Sequence, residues 1–220
     1  MYFPECQEVQ AARQRVKSLV GDEYSEKLNP AKYFNVNPLE VQFRCPLSYP
    51  YKSKPLRNKL SNYGVIKDFD DAVRKLKPVK AYSLYESLKN RFLLGYSWEH
   101  CGVLDIKLAE VERAGRAIDG CITKEDFLRR YAALDAIAEE ISRNGFKSQV
   151  ELDGTPKISN EMFVTIGSDG ARFFSAGGNH RIALAHLLRI NAMPVLVMSR
   201  HENYIEYAAE LACKRCSYRV

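Results

Sequence analysis

Residues 169–201 read DGARFFSAGGNHRIALAHLLRINAMPVLVMSRH, and the fold turns on them. The aromatic-rich run ARFFS (171–175) predicts a strand. MFVTI (162–166) predicts another, and Gly167-Ser168-Asp169-Gly170 between them predicts the turn of a hairpin. Gly177-Gly178 follows. Asn179-His180-Arg181 then opens an apolar segment that predicts a helix over 179–188, and MPVLVM (193–198) predicts a further strand. Glycines after a strand let backbone approach a ligand with no Cβ in the way. The first amides of a helix lack intrahelical acceptors, and the helix dipole favours negative charge beside them. His180 and Arg181 add donors at that end, and a guanidinium holds two phosphate oxygens in a fixed fork. The arrangement reads as an anion site suited to phosphate. A tight turn with a histidine near a helix start is the plainer reading, and the residues alone leave both open.

Upstream the periodicity is helical. The strongest helix is predicted over 124–143, where Phe127, Tyr131, Leu134, Ala138 and Ile141 recur at spacings of three and four. Thr123 and Asp126 have the spacing of a capping box, and Asn144-Gly145 supplies the stop. Further helices are predicted over 8–20, 82–94, 101–114 and 204–213, the first three ending at Gly21, Gly95 and Gly115. VNPLEVQF (36–43) predicts a short strand after Pro38, and Pro46, Pro50 and Pro55 oppose a long helix before Leu56. The order is helices, then hairpin, helix, strand and helix, which gives an α+β fold. It divides into a largely helical extension over 1–122 packed on a C-terminal domain over 123–220.

Apolar residues make up 46% of the chain and charged residues 27%, ordinary values for a globular protein. No apolar run approaches the ~20 residues needed to cross a bilayer. MYFPECQEVQAARQR lacks an apolar stretch followed by a small-residue cleavage site. The expectation is a cytoplasmic protein with no membrane partner. The formal charge of +6 is uneven: residues 44–80 hold ten basic and three acidic residues, hence +7, leaving −1 elsewhere. Interleaved with Tyr49, Tyr51 and Tyr63, this segment is suited to contact nucleic-acid phosphates. It reads equally as a solvated loop region, or as cations lining an anionic substrate's pocket. Six cysteines stand at 6, 45, 101, 121, 213 and 216, and read as buried small hydrophobes. Cys213 and Cys216 have the spacing of half a zinc site or a redox pair, but no second pair follows, so no metal site is assigned.

The 169–201 stretch resembles the ParB/sulfiredoxin superfamily. That pattern is a strand, Gly followed by His-Arg or Arg-Arg, an Ala-rich helix, and a strand with Pro near its start. LDAIAEEISRNGFKSQVEL (134–152) resembles the superfamily's first box, a helix ending in Gly and leading into a strand. VNPLEVQF, GVIKDFD (64–70), GYSWEHCG (95–102) and FLRRYAALDAI (127–137) are similar to ParB-like proteins with Trp-Glu and Arg-Arg-Tyr elements ahead of an Asp-Gly-x-His-Arg box. The resemblance implies a ParB/sulfiredoxin-like core that holds a nucleotide's phosphates at Gly177, Gly178, Asn179, His180 and Arg181. It implies further contacts from Lys147, Ser148 and Gln149 in the first box and from Arg200 after the last strand. ATP or another nucleotide is the implied cofactor, with Mg²⁺ bridging phosphate oxygens.

Departures from the family narrow the activity. Sulfiredoxins carry a nucleophilic Cys where this chain has Asn179, so sulfinic-acid reduction is not expected. Partitioning proteins carry Glu-Arg-Arg and a helix-turn-helix behind it, whereas this chain has Asn-His-Arg and about twenty residues after the final strand. Free-serine kinases share the His-Arg pair. A kinase also needs a carboxylate to position or deprotonate the acceptor hydroxyl. Glu151, Asp153 and Asp169 are the nearest; Glu151, in or beside the first-box strand, is the preferred base, against a surface salt bridge. His201 is the second candidate proton carrier, against a hydrogen-bonded loop histidine. The leading expectation is an ATP-dependent phosphotransferase or NTPase acting on a small molecule. Its rivals are a nucleic-acid-associated ParB-like protein (DNA-binding or nuclease) using 44–80, and a non-catalytic binding module. Trp98 reads as a core anchor or as a platform for a base, His186 as a packed helix residue. Arg129 and Arg130 lie off the apolar face of their helix, and the resemblance leaves one of them free to reach the ligand.

Overall fold

The computed structural model describes residues 1–25, 28–45, 63–66, 68, 76–152 and 157–204. Most of the basic 44–80 stretch, Asp153, the Cys213–Cys216 pair and the helix expected over 204–213, beyond Tyr204, lie outside them. In chain order the elements are α1 (Gln7–Ser25), β1 (Phe34–Val36), β2 (Phe43–Arg44), β3 (Val65–Ile66), β4 (Lys77–Pro78), α2 (Tyr85–Phe92) and α3 (Val103–Ala114). They continue with α4 (Lys124–Asn144), α5 (Gln149–Leu152), β5 (Phe163–Ile166), β6 (Arg172–Ala176), α6 (Asn179–Leu187) and β7 (Met193–Arg200).

The fold is mixed α and β around one seven-stranded sheet of order β1-β7-β5-β6-β2-β4, with β3 also paired to β7. β5 and β6 form the expected antiparallel hairpin, and β7 runs parallel to β5 on its other edge. Residues 1–122 do more than pack helices on this core. β1 and β3 share the free edge of β7, and β2 extends the sheet beyond β6. The strand expected after Pro38 begins only at Phe43, as β2, and a further strand, β1, precedes the proline. Asn37 accepts from the amide of Leu39 and Pro38 opens a 3₁₀ turn over Pro38–Glu40, so cap and proline chemistry displaces the strand. α1 continues past its expected stop, with Gly21 breaking helical geometry inside it.

α6 explains the layering. Ile182 to Leu187 are all buried, and a helix that is apolar all round must be covered on every side. Ile182 and Ala185 face the sheet with Val164, Phe174 and Val195. Ala183, Leu184 and Leu187 face a helical layer with Leu88, Trp98, Phe127 and Tyr131. On the opposite face of the sheet, Val9, Ala12 and Val16 of α1 are fully buried, and Val9 and Ala12 pack with Phe163, Leu196 and Tyr63. α4 follows its sequence signals, with the Thr123/Asp126 capping box formed and Gly145 at its end. Trp98 is a core anchor: it is 6% exposed, packs on Phe92 and Tyr131, and donates from Nε1 to Asp135 at 2.9 Å.

The link from β6 to α6 has no slack. Gly177 has φ 75°, and a Cβ there would lie 1.7 Å from the carbonyl oxygen of Glu161. Gly145, at φ 76°, has open space around the same atom. We expect Gly177→Ala to cost about 3 kcal/mol or more in urea unfolding, through conformation and collision together. Gly145→Ala should cost about 2 kcal/mol, from conformation alone, because its ψ of −179° places it in a region that only glycine adopts readily.

Candidate anion-binding site

The two glycines deliver the start of α6 into a confined corner. Gly178 caps the helix in the left-handed conformation (φ 64°), and no side chain caps the amides of Asn179, His180 or Arg181. Arg181 folds back over that end: a Cβ on Gly178 would lie 2.4 Å from its Nε. Its Nη2 donates to the carbonyl of Asn160, while Nη1 is buried without a hydrogen-bond partner. A helix N-terminus with free amides and a guanidinium holding one unused donor is an anion-binding arrangement.

Behind the glycine turn lies a buried carboxylate that the sequence did not single out. Glu161, 1% exposed, accepts from the Tyr33 hydroxyl at 2.6 Å and from the amide of Gln149 at 3.0 Å. Burial pushes its carboxyl above the usual range, opposed by the Tyr33 hydroxyl, by Arg181 and by the amides of Gln149 and Val150. Burial likewise raises the Tyr33 phenol, so Tyr33 keeps its proton and donates. Tyr33 stands 128 residues from its partner, beyond any local pattern.

His180 faces the helical layer. Its ring meets Tyr82 and Tyr131 edge-on at 5.9 and 5.8 Å, and Nε2 lies 3.4 Å from the Tyr131 hydroxyl. Burial, then Lys107 and Arg130, lowers its pKa to about 4, so it is neutral near pH 7. Arg44 extends the cluster, its guanidinium over the rings of Tyr82 and Phe174.

Two clefts along α4 open on this corner and share Ile137. One, of about 390 Å³, is lined by Arg130, Tyr131, Leu134 and His180. The other, of about 240 Å³, is mainly apolar, lined by Ile141, Phe146 and Leu152 with Glu140, Lys147 and Arg181. Lys147 donates to Glu140 at 2.7 Å, which with Asn144 holds that carboxyl below the usual range. Arg129 turns away to Asp126, so of the adjacent pair Arg129 and Arg130 it is Arg130 that faces the site.

The structure thus brings Gly177, Gly178, Asn179, His180 and Arg181 together with Lys147, and Gln149 reaches them through Glu161. Ser148 and Glu151 are occupied with each other. The Ser148 hydroxyl and amide donate to the Glu151 carboxylate at 2.8 and 2.7 Å, a capping box that starts α5. The expected first-box strand is therefore helical at 149–152, because Ser-x-x-Glu is a helix-start signal. Asp169 accepts from the amide of Ala171 in the hairpin turn.

Arg200 and His201 lie elsewhere. His201 donates its amide to Ile166 at one end of β5, whereas Ala176, just before the glycines, pairs with Phe163 at the other. The length of β5 puts about 10 Å between those ends. Arg200 is buried, reaches the Leu28 carbonyl at 3.3 Å, and burial lowers its pKa to about 10. His201 Nδ1 accepts from the amide of Asn203, which leaves the ring proton on Nε2, 3.2 Å from Asp68. Both serve the far end of the sheet.

Comparison of the chain with protein-family models, with curated proteins and with solved structures gave no match.

His180 makes a pH prediction. Its folded pKa lies below the unfolded value near 6.5, so the unfolded chain takes up the proton first and stability falls as pH drops from 6.5 toward 4. We expect a loss of roughly 2 kcal/mol over that range, absent in His180→Gln, from urea unfolding at a series of pH values.

Proposed function

We propose that the chain binds a nucleotide, with its phosphates at the N-terminus of α6, and that it is a ParB/sulfiredoxin-like phosphotransferase or NTPase acting on a small molecule. The observation that carries this reading is Arg181: its guanidinium lies over the uncapped start of its own helix and keeps one buried donor without a partner. In this reading the amides of Asn179, His180 and Arg181 face the phosphate oxygens, and Arg181 neutralises charge as the bond to the leaving group breaks. Gly177 and Gly178 keep Cβ atoms out of the approach. Lys147 lines the same cleft as a second cation. Neutral His180 contributes a hydrogen bond rather than charge.

ATP or another nucleotide is the ligand this reading names. Mg²⁺ would enter on the phosphate oxygens and water, as it does where few carboxylates are offered. Among the described residues no group of three or more His, Cys, Asp or Glu is arranged to hold a metal ion. Glu140 is the carboxylate that lines the cleft with Arg181, and it suits the role of orienting an acceptor hydroxyl. Glu151 and His201 do not line that cleft: Glu151 caps the start of α5 with Ser148, and His201 lies at the far end of the sheet.

A thermal-shift panel of ATP, ADP, CTP, GTP and pyrophosphate, each with Mg²⁺, tests the reading. Binding to the native state alone raises the melting temperature by mass action. We expect one nucleotide to stabilise the wild type and Glu140→Gln alike, and to leave Arg181→Ala unshifted, with nucleotide turnover lost in Glu140→Gln. No shift with any ligand removes the nucleotide reading. A salt-steep affinity for nucleic acid in that case moves function to the 44–80 segment.

A further inference from the structure

The C-terminal end of α6 carries a second cluster, separate from the anion corner. His186 is 9% exposed, and its Nε2 is buried without a hydrogen-bond partner. Buried polar atoms are nearly always paired, so this one marks a place where a partner belongs. Two adjoining clefts, of about 430 and 510 Å³, share Leu39, Lys80 and His186 as lining. The first is also lined by Lys89, Leu93 and Arg189. Lys89 is held by Glu86 at 3.0 Å, whereas Lys80 and Arg189 make no ion pair among the described residues. Two uncommitted cations and one unpaired imidazole nitrogen therefore line a common space. Leu39 and Leu93, 41% and 54% exposed, give that space an apolar side.

The backbone of Arg189 is an independent sign. The amide of Ile190 donates to the carbonyl of Ala185 at 3.0 Å, and that of Arg189 to His186 at 3.3 Å. This is the Schellman ending of a helix, in which the residue at Arg189 takes the left-handed conformation that glycine favours. Arg189 holds it at φ 51°. A side chain kept where glycine would be easier points to a use for that side chain.

We propose that this cleft binds a small organic carboxylate with an apolar body, the carboxylate taken by Lys80, Arg189 and His186 and the body resting on Leu39 and Leu93. A planar guanidinium matches a carboxylate with two parallel hydrogen bonds. Burial lowers the His186 pKa, opposed by the backbone carbonyls of Pro38 and Val41. Two cations would accept a phosphate as readily as a carboxylate; what favours an organic carboxylate is the apolar side formed by Leu39 and Leu93, which inorganic anions cannot use. The site lies at the opposite end of α6 from Arg181 and does not depend on nucleotide binding there.

Ligand-detected NMR on the full chain tests this, with 4-phenylbutyrate as probe and inorganic phosphate as comparison. We expect 4-phenylbutyrate to bind at least about tenfold more tightly than phosphate, a difference of about 1.4 kcal/mol. Lys80→Gln and Arg189→Gly should each weaken it about tenfold, while Arg129→Gln, which removes an exposed cation elsewhere, leaves it unchanged. Arg189→Gly should also melt above the wild type, since glycine relieves the left-handed residue; lost binding then accompanies a better-folded chain. Equal affinity for phosphate, or wild-type affinity in both Lys80→Gln and Arg189→Gly, overturns the proposal.

Discussion

No side-chain atom fits between Gly177 and the carbonyl oxygen of Glu161, and the arrangement around the site depends on that contact. It presses the β6–α6 link onto residues 160–162, which then act in three directions. The carbonyl of Asn160 takes the Arg181 guanidinium, the backbone of Glu161 receives Gly177, and the carboxylate of Glu161 turns inward to Tyr33 and the Gln149 amide. One short segment thereby fixes the helix start, the arginine over it and the loop that follows α4. Tyr33 ties the same point to the N-terminal region, so 1–122 and 123–220 share a buried hydrogen bond as well as a sheet. A buried acid is costly unless its hydrogen bonds are met, and here the partners come from distant parts of the chain.

α6 transmits this constraint through the molecule. Because Ile182 to Leu187 are all covered, the helix cannot shift toward one layer without opening the other. Its two ends reach solvent with different chemistry. At the start, free amides and Arg181 meet a largely apolar cleft beside α4. At the finish, a left-handed Arg189, Lys80 and the unpaired His186 nitrogen surround another. A rigid rod with a polar group at each tip is the part of the fold on which function is most readily built.

Much of the corner was legible in the sequence, and for local reasons. Gly-Gly before Asn-His-Arg signals a turn with positive φ and a helix start, and α4 declared itself through Thr123, Asp126 and Gly145. The Ser148-x-x-Glu151 capping box was equally visible, but the resemblance to a strand-forming box overrode it. The 3₁₀ turn at Asn37-Pro38 was written in cap and proline signals that a strand reading passed over. Other features had no local trace. β2, β3 and β4 are two residues each, too short to show alternation. The Tyr33–Glu161 pair spans most of the chain. His201 was read correctly at the end of its strand, yet only the parallel alignment of β5 and β7 shows that this end faces away from Gly177. Local chemistry writes turns and caps into a sequence; which ends of which strands meet is set by topology.

The central claim is that a phosphate sits on the uncapped start of α6 under Arg181. The most direct measurement is backbone amide chemical-shift mapping with Mg²⁺ and the nucleotide that binds best. The account predicts that the amides of Asn179, His180 and Arg181 move most, together with Lys147, while those of Arg200 and His201 stay in place. Shifts confined to the far end of β7 or to residues 44–80, with the start of α6 unmoved, would contradict it.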